Sequence, residues 1–88
     1  MSSTEALLPS TMPLSLLPLK QDATVAAVDD LHPNDRVAQR LRELGFVPGE
    51  PVRLLSRGPV SGDPLLVQIG FTRFALRKSE AARVRVQR

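Results

Sequence analysis

Leu44-Gly45-Phe46-Val47-Pro48-Gly49 ends a helix, turns the chain and launches a strand, and the rest of the fold is read outward from that join. Gly45 takes the left-handed conformation that follows a last helical residue. Phe46 then folds back onto Leu41 as the apolar contact of a Schellman-type cap. Pro48 presets φ at the first central position of a type II turn, and Gly49 accepts the positive φ that the second demands.

Upstream of the join, Val37, Leu41 and Leu44 recur at helical spacing, with Asn34 expected as the cap and Asp35 and Arg36 in the first turn. Arg36, Gln39, Arg40, Arg42 and Glu43 occupy the remaining surface and give the helix a mostly basic outer side. So short a helix gains its stability from packing against the rest of the domain. Asp29, Asp30 and His32-Pro33-Asn34 form the loop before it, after a strand over Ala23 to Val28. The leucines of Pro13-Leu14-Ser15-Leu16-Leu17-Pro18-Leu19 pin an irregular lead-in segment to the core, because its prolines forbid a helix interior. Met1 to Pro13 mixes Ser, Thr and Pro without a steady period. It reads as a flexible tail, residues 1–13, ahead of the domain proper at 14–88.

Downstream the period changes to two. Val52 and Leu54 share one face, against Arg53, Leu55 and Arg57. Gly58-Pro59 and Ser61-Gly62-Asp63-Pro64 read as a long turn, after which Leu65, Val67 and Ile69 line one side of a strand. Gly70-Phe71-Thr72 makes a tight hairpin. Phe74 and Leu76 then point inward with Arg73, Ala75 and Arg77 outward, Lys78 to Ala82 makes one helical turn, and Val84 and Val86 form the last strand against Arg83, Arg85 and Gln87. The fold class is mainly β: a small, partly open barrel of about five strands, each about five residues long, with one α-helix between the first two and a helical turn before the last. The first and last strands must pair, since closure removes edges that would template aggregation.

The 88-residue chain is long enough for one domain with a single core. It has no cysteine, hence no disulfide framework and no thiolate metal site. Twelve basic against nine acidic residues give +3, a balance that permits an acidic partner without demanding one. No apolar run approaches the roughly 18 residues needed to cross a bilayer, and Met1 to Met12 has no signal-peptide pattern. A cytoplasmic location is expected.

Catalysis finds no support, because the single histidine and the absence of cysteine leave no nucleophile and base to assemble. Ser79 beside Glu80 reads as a turn serine, and Gly58, Gly62 and Gly70 as turn glycines rather than a phosphate cradle. Asp29, Asp30 and His32 are weak candidate ligands for Fe(II) or another divalent ion, and their plainer reading is a solvated loop. No cofactor is otherwise expected. Arg53, Arg57, Arg73, Arg77, Arg83 and Arg85 are placed outward, which admits a phosphate-binding surface. Nucleic acid is nevertheless a weaker alternative, since only three aromatics are present. The absence of Tyr and Trp speaks against polyproline binding. Leu55, Leu66 and Phe71 fall on the outer face, where a helix, a lead-in segment or a partner covers them.

The string Leu41-Arg42-Glu43-Leu44-Gly45-Phe46-Val47-Pro48-Gly49-Glu50-Pro51-Val52 resembles the signature of the ferrous iron transport protein A (FeoA) family. Gly62-Asp63-Pro64-Leu65, Gly70 and Ala75-Leu76-Arg77-Lys78-Ser79-Glu80-Ala81 are similar to its later motif in order and spacing, and Leu14-Ser15-Leu16 to its opening. The resemblance implies an SH3-like barrel, without catalysis, that serves as a cytosolic accessory of the FeoB ferrous iron permease, a membrane protein with a cytoplasmic GTPase domain. For the contact surface we take the exposed helix side, Arg36, Arg40 and Glu43, with the Phe46-Val47 corner that follows. A regulatory domain that senses Fe(II) through Asp29, Asp30 and His32 is the alternative. A homo-oligomer is admitted by either.

Overall fold

In the computed structural model, which describes residues 10–88, the chain runs in the order β1 (Met12–Pro13), a 3-10 turn (Leu14–Leu16), β2 (Ala23–Val28), α1 (Arg36–Leu44), β3 (Pro51–Gly58), β4 (Gly62–Ile69), β5 (Thr72–Leu76), α2 (Lys78–Ala81) and β6 (Val84–Gln87). The strands form one antiparallel sheet ordered β1-β6-β2-β3-β4-β5. The expected pairing of the first long strand with the last is present: Val25 faces Val86 and Val28 faces Val84. A bulge between Val25 and Ala27 adds the bend that curls the sheet toward a barrel.

The join behaves as its sequence requires. Gly45 sits at φ 115° and ψ 4°. Its N–H donates to Arg42 O at 3.1 Å while that of Phe46 donates to Leu41 O at 3.1 Å, the paired bonds of a Schellman cap. Phe46 is completely buried in the same core as Leu41. Gly49 has φ 94°, and Glu50 N–H donates to Val47 O at 3.2 Å, closing the turn over Pro48-Gly49.

Alternation fixes the inner face. Val52, Leu54, Leu65, Val67, Ile69, Leu76, Val84 and Val86 are all buried, and Leu14 and Leu17 seal one side of the core. Leu55 and Leu66, placed outside, are half-buried, whereas Phe71 on the β4–β5 turn is fully exposed.

Several boundaries differ from the sequence reading. Met12 and Pro13, expected within the tail, pair with Val86 and Arg85 as a sixth strand; the Arg85 guanidinium holds this segment by donating to Thr11 O at 3.1 Å. Residues 1–9 of the expected tail lie outside the described residues. β3 and β4 are eight residues each, because pairing continues through the presumed long turn until Gly58 faces Gly62. Only a residue without Cβ fits there: a Cβ on Gly58 would lie 2.2 Å from Asp63 O. The helix cap is Asp35, not Asn34, which instead takes φ 58° and turns the chain into the helix.

Candidate functional site

α1 presents two sides. Val37, Ala38, Leu41 and Leu44 pack on the barrel, so Arg36, Gln39, Arg40 and Glu43 must face outward, and all four are exposed. Together with Asn34 they line a shallow polar depression. Arg36, Arg40 and Glu43 make no ion pair among the described residues. Three charged side chains ordered by one short helix, uncommitted to the fold, are the plainest candidate for meeting a partner.

The corner after the helix divides. Val47 is 40% exposed, whereas Phe46 is 0% exposed. Phe46 is thus removed from the candidate contacts. Its ring is spent inside the domain, 6.2 Å from that of Phe74 in a tilted pair, an arrangement that adds to burial.

Asp29, Asp30 and His32 do not converge on a metal-sized site. No group of three or more His, Cys, Asp or Glu side chains is gathered among the described residues. The Arg42 guanidinium takes both Asp30 oxygens, Nη1 donating to Oδ1 at 3.1 Å and Nη2 to Oδ2 at 2.9 Å. It also donates to Val28 O at 2.7 Å. That forked hydrogen bond holds the Asp30 carboxyl below its ordinary pKa. His32 is exposed, with Nδ1 3.1 Å from Pro33 O. The loop is tied down as structure, and its residues do not fit a metal centre.

Sequence reasoning missed the most heavily bonded side chain among the described residues. Asp35, 1% exposed, accepts from Val37 N–H at 3.1 Å and Ala38 N–H at 3.2 Å through Oδ1. Its Oδ2 accepts from Leu31 N–H at 3.0 Å and from Arg83 Nε at 2.8 Å. The Arg83 hydrogen bond first, then the backbone donors, hold its carboxyl far below the usual carboxylate range against the opposing effect of burial. Arg83, placed outward by alternation, is buried and also donates to Ser79 O at 2.8 Å. It precedes β6 rather than lying within it, so strand alternation does not govern it. An aspartate just before an amphipathic helix was a visible cap signal; its distant arginine partner was not.

The supposed arginine face is largely consumed by the fold. Besides Arg83, Arg53 Nε donates to Asp22 at 2.9 Å, Arg57 donates to Ser15 O and Leu17 O, and Arg85 holds Thr11. Such arginines fix loops and the lead-in segment. They do not make a continuous phosphate-binding surface.

These features agree with what the chain is similar to. A family model, the FeoA domain, matches residues 12–88. A FeoA from Stenotrophomonas maltophilia is 66% identical, with a TM-score of 0.80 over 86% of this chain and 89% of that one. That protein was solved with zinc and is described as an SH3 domain protein and a possible ferrous iron transport activating factor. FeoA from Chlorobium tepidum is 33% identical, with a TM-score of 0.73 over 86% of this chain and 69% of that one. A manganese-dependent transcriptional repressor shares the fold alone, at 21% identity and a TM-score of 0.77 over 91% of this chain and 42% of its own. No curated protein matches.

Proposed function

This chain belongs to the FeoA family of small SH3-like accessory proteins of ferrous iron transport, and from that premise we propose that it binds the cytoplasmic part of a FeoB-type GTPase permease and modulates Fe(II) uptake, with no active site of its own. The observation that supports a binding role is the outer side of α1, where Arg36, Arg40 and Glu43 are exposed and held by no ion pair among the described residues. Charged groups at such a rim steer encounter and fix register more than they add affinity. Val47 extends the surface beyond the helix end. No helix among the described residues is long and apolar enough to cross a membrane, so on this reading the chain reaches the bilayer through its partner.

The test is titration of the purified cytoplasmic domain of the permease with the parent protein and with Arg36→Glu/Arg40→Glu. The double reversal should weaken binding by about tenfold or more at low salt, with a smaller difference at high salt as screening takes over. Undiminished binding by a folded double variant removes this surface.

A further inference from the structure

The open edge of β5 offers a second kind of contact, which meets the outer helix side only at Arg40. Among the described residues, β5 ends the sheet and pairs only with β4. Gly70 and Phe71 form a two-residue turn, so the flanking pair Ile69 and Thr72 exchanges ladder hydrogen bonds, and bonding then alternates along the hairpin. Phe74 with Val67 and Leu76 with Leu65 are the next bonded pairs. The N–H and C=O groups of Arg73 and Ala75 therefore point away from β4, and neither makes another backbone hydrogen bond among the described residues. Next to this edge a small groove of about 50 Å³ lies between α1 and β5, lined by the apolar side chains of Val37, Leu41, Leu44, Phe74, Ala75 and Leu76 and by Arg40 and Glu80.

We propose that this edge and groove form a dock for an extended polypeptide segment carrying one branched apolar side chain between acidic residues. A strand added to β5 would bond through Arg73 and Ala75, and every second side chain would fall on the face that Phe74 and Leu76 share, over the groove. The charge on the rim selects the flanks. Arg40 and Arg73 are exposed and in no ion pair among the described residues; Glu80, which also lines the groove, turns one oxygen to Arg77 N–H at 2.9 Å, so two cations stand against one carboxylate there. A second copy of the chain fits worse, because its own β5 would bring Arg73 to an edge that already carries one.

The probe is a designed seven-residue peptide, Asp-Thr-Thr-Val-Thr-Thr-Asp, titrated into the full chain and followed by amide spectra and hydrogen exchange. Free protein should show fast exchange at Arg73 and Ala75. Peptide should protect both amides and shift resonances of β5 and α1. Ala75→Pro removes one edge donor at a position where an edge strand tolerates proline, and should weaken binding by about tenfold. N-methylation of the peptide amides facing β5 should do the same without touching the protein, which covers the case in which the proline variant fails to fold. The proposal is overturned by slow exchange at Arg73 and Ala75 in dilute free protein. Protection that grows with protein concentration alone also overturns it, since the edge then belongs to a second copy. So does peptide binding that survives N-methylation.

Discussion

Replacing Gly45 by alanine asks whether the end of α1 is set by backbone conformation alone. Gly45 has φ 115° and open space around its missing Cβ, with nothing within 4 Å, so the cost is torsional rather than steric. Holding an L-residue in left-handed backbone costs about 1–2 kcal/mol. In a domain of this size that lowers the thermal midpoint by roughly 5–15 °C. Gly45→Asn should recover part of the loss, because asparagine visits the left-handed region more readily. Gly58→Ala is the companion measurement, where the new Cβ would lie 2.2 Å from Asp63 O and 2.4 Å from Asp63 C. Both are backbone atoms, so β3 and β4 must part locally and the loss must exceed that at Gly45. Urea unfolding with a common slope m reads both values directly. A Gly45→Ala protein within about 0.5 kcal/mol of the parent, or a Gly58→Ala protein that is the milder of the two, refutes the reasoning.

Asp35→Asn keeps a cap but leaves Arg83 buried without its carboxylate, and should lower the melting temperature at neutral pH. The Asp35 carboxyl is depressed in the folded state, so its stabilisation is fully present above the unfolded pKa, near 4, and is lost as pH falls through the folded value. The gap between parent and variant should therefore be constant from pH 7 to about 5 and narrow steadily below about 4; a gap independent of pH down to about 2 would show that the ion pair is not its source. Phe71→Ser should change stability by less than about 0.5 kcal/mol, since the ring is fully exposed on its turn. A larger loss in chemical denaturation would mean that the ring packs against the domain.

The join, the inner face of the sheet and the outer side of α1 were legible in the sequence because each follows from local geometry. Gly45 and Gly49 answer demands on φ, and Val52, Leu54, Val67 and Ile69 answer the pleat. What was not legible depends on groups far apart in the chain. Asn34 and Asp35 are equally good caps by residue type, and the choice is settled by Arg83, 48 positions away. Arg53, Arg57 and Arg85 read as outward charges, and outward they are, but each is claimed by a segment that only the folded chain brings near. By sequence Phe46 suits both a cap contact and a partner contact, and complete burial leaves it only the first. Within the candidate surface Arg36, Arg40 and Glu43 were correctly placed as exposed, since nothing but helical period decides them.

The turn after α1 is also hydrogen-bonded to β2: Gly49 N–H donates to Val25 O and Val25 N–H to Glu50 O, each at 2.9 Å. β2 and β3 otherwise share only the pairs Ala23 with Val52 and Thr24 with Pro51, so their alignment is measured out by the join rather than by a long ladder of their own. Chain length between Leu44 and Pro51 is therefore a fixed ruler. One inserted residue would slip β3 by one position and exchange its two faces, carrying Val52 and Leu54 out of the core and Arg53 into it. The β3–β4 loop at Pro59–Ser61 sits at the far end of a hairpin already in register, so its length does not set which face of β3 is buried. A one-residue insertion at Pro59–Ser61 should therefore cost less stability than one between Leu44 and Pro51.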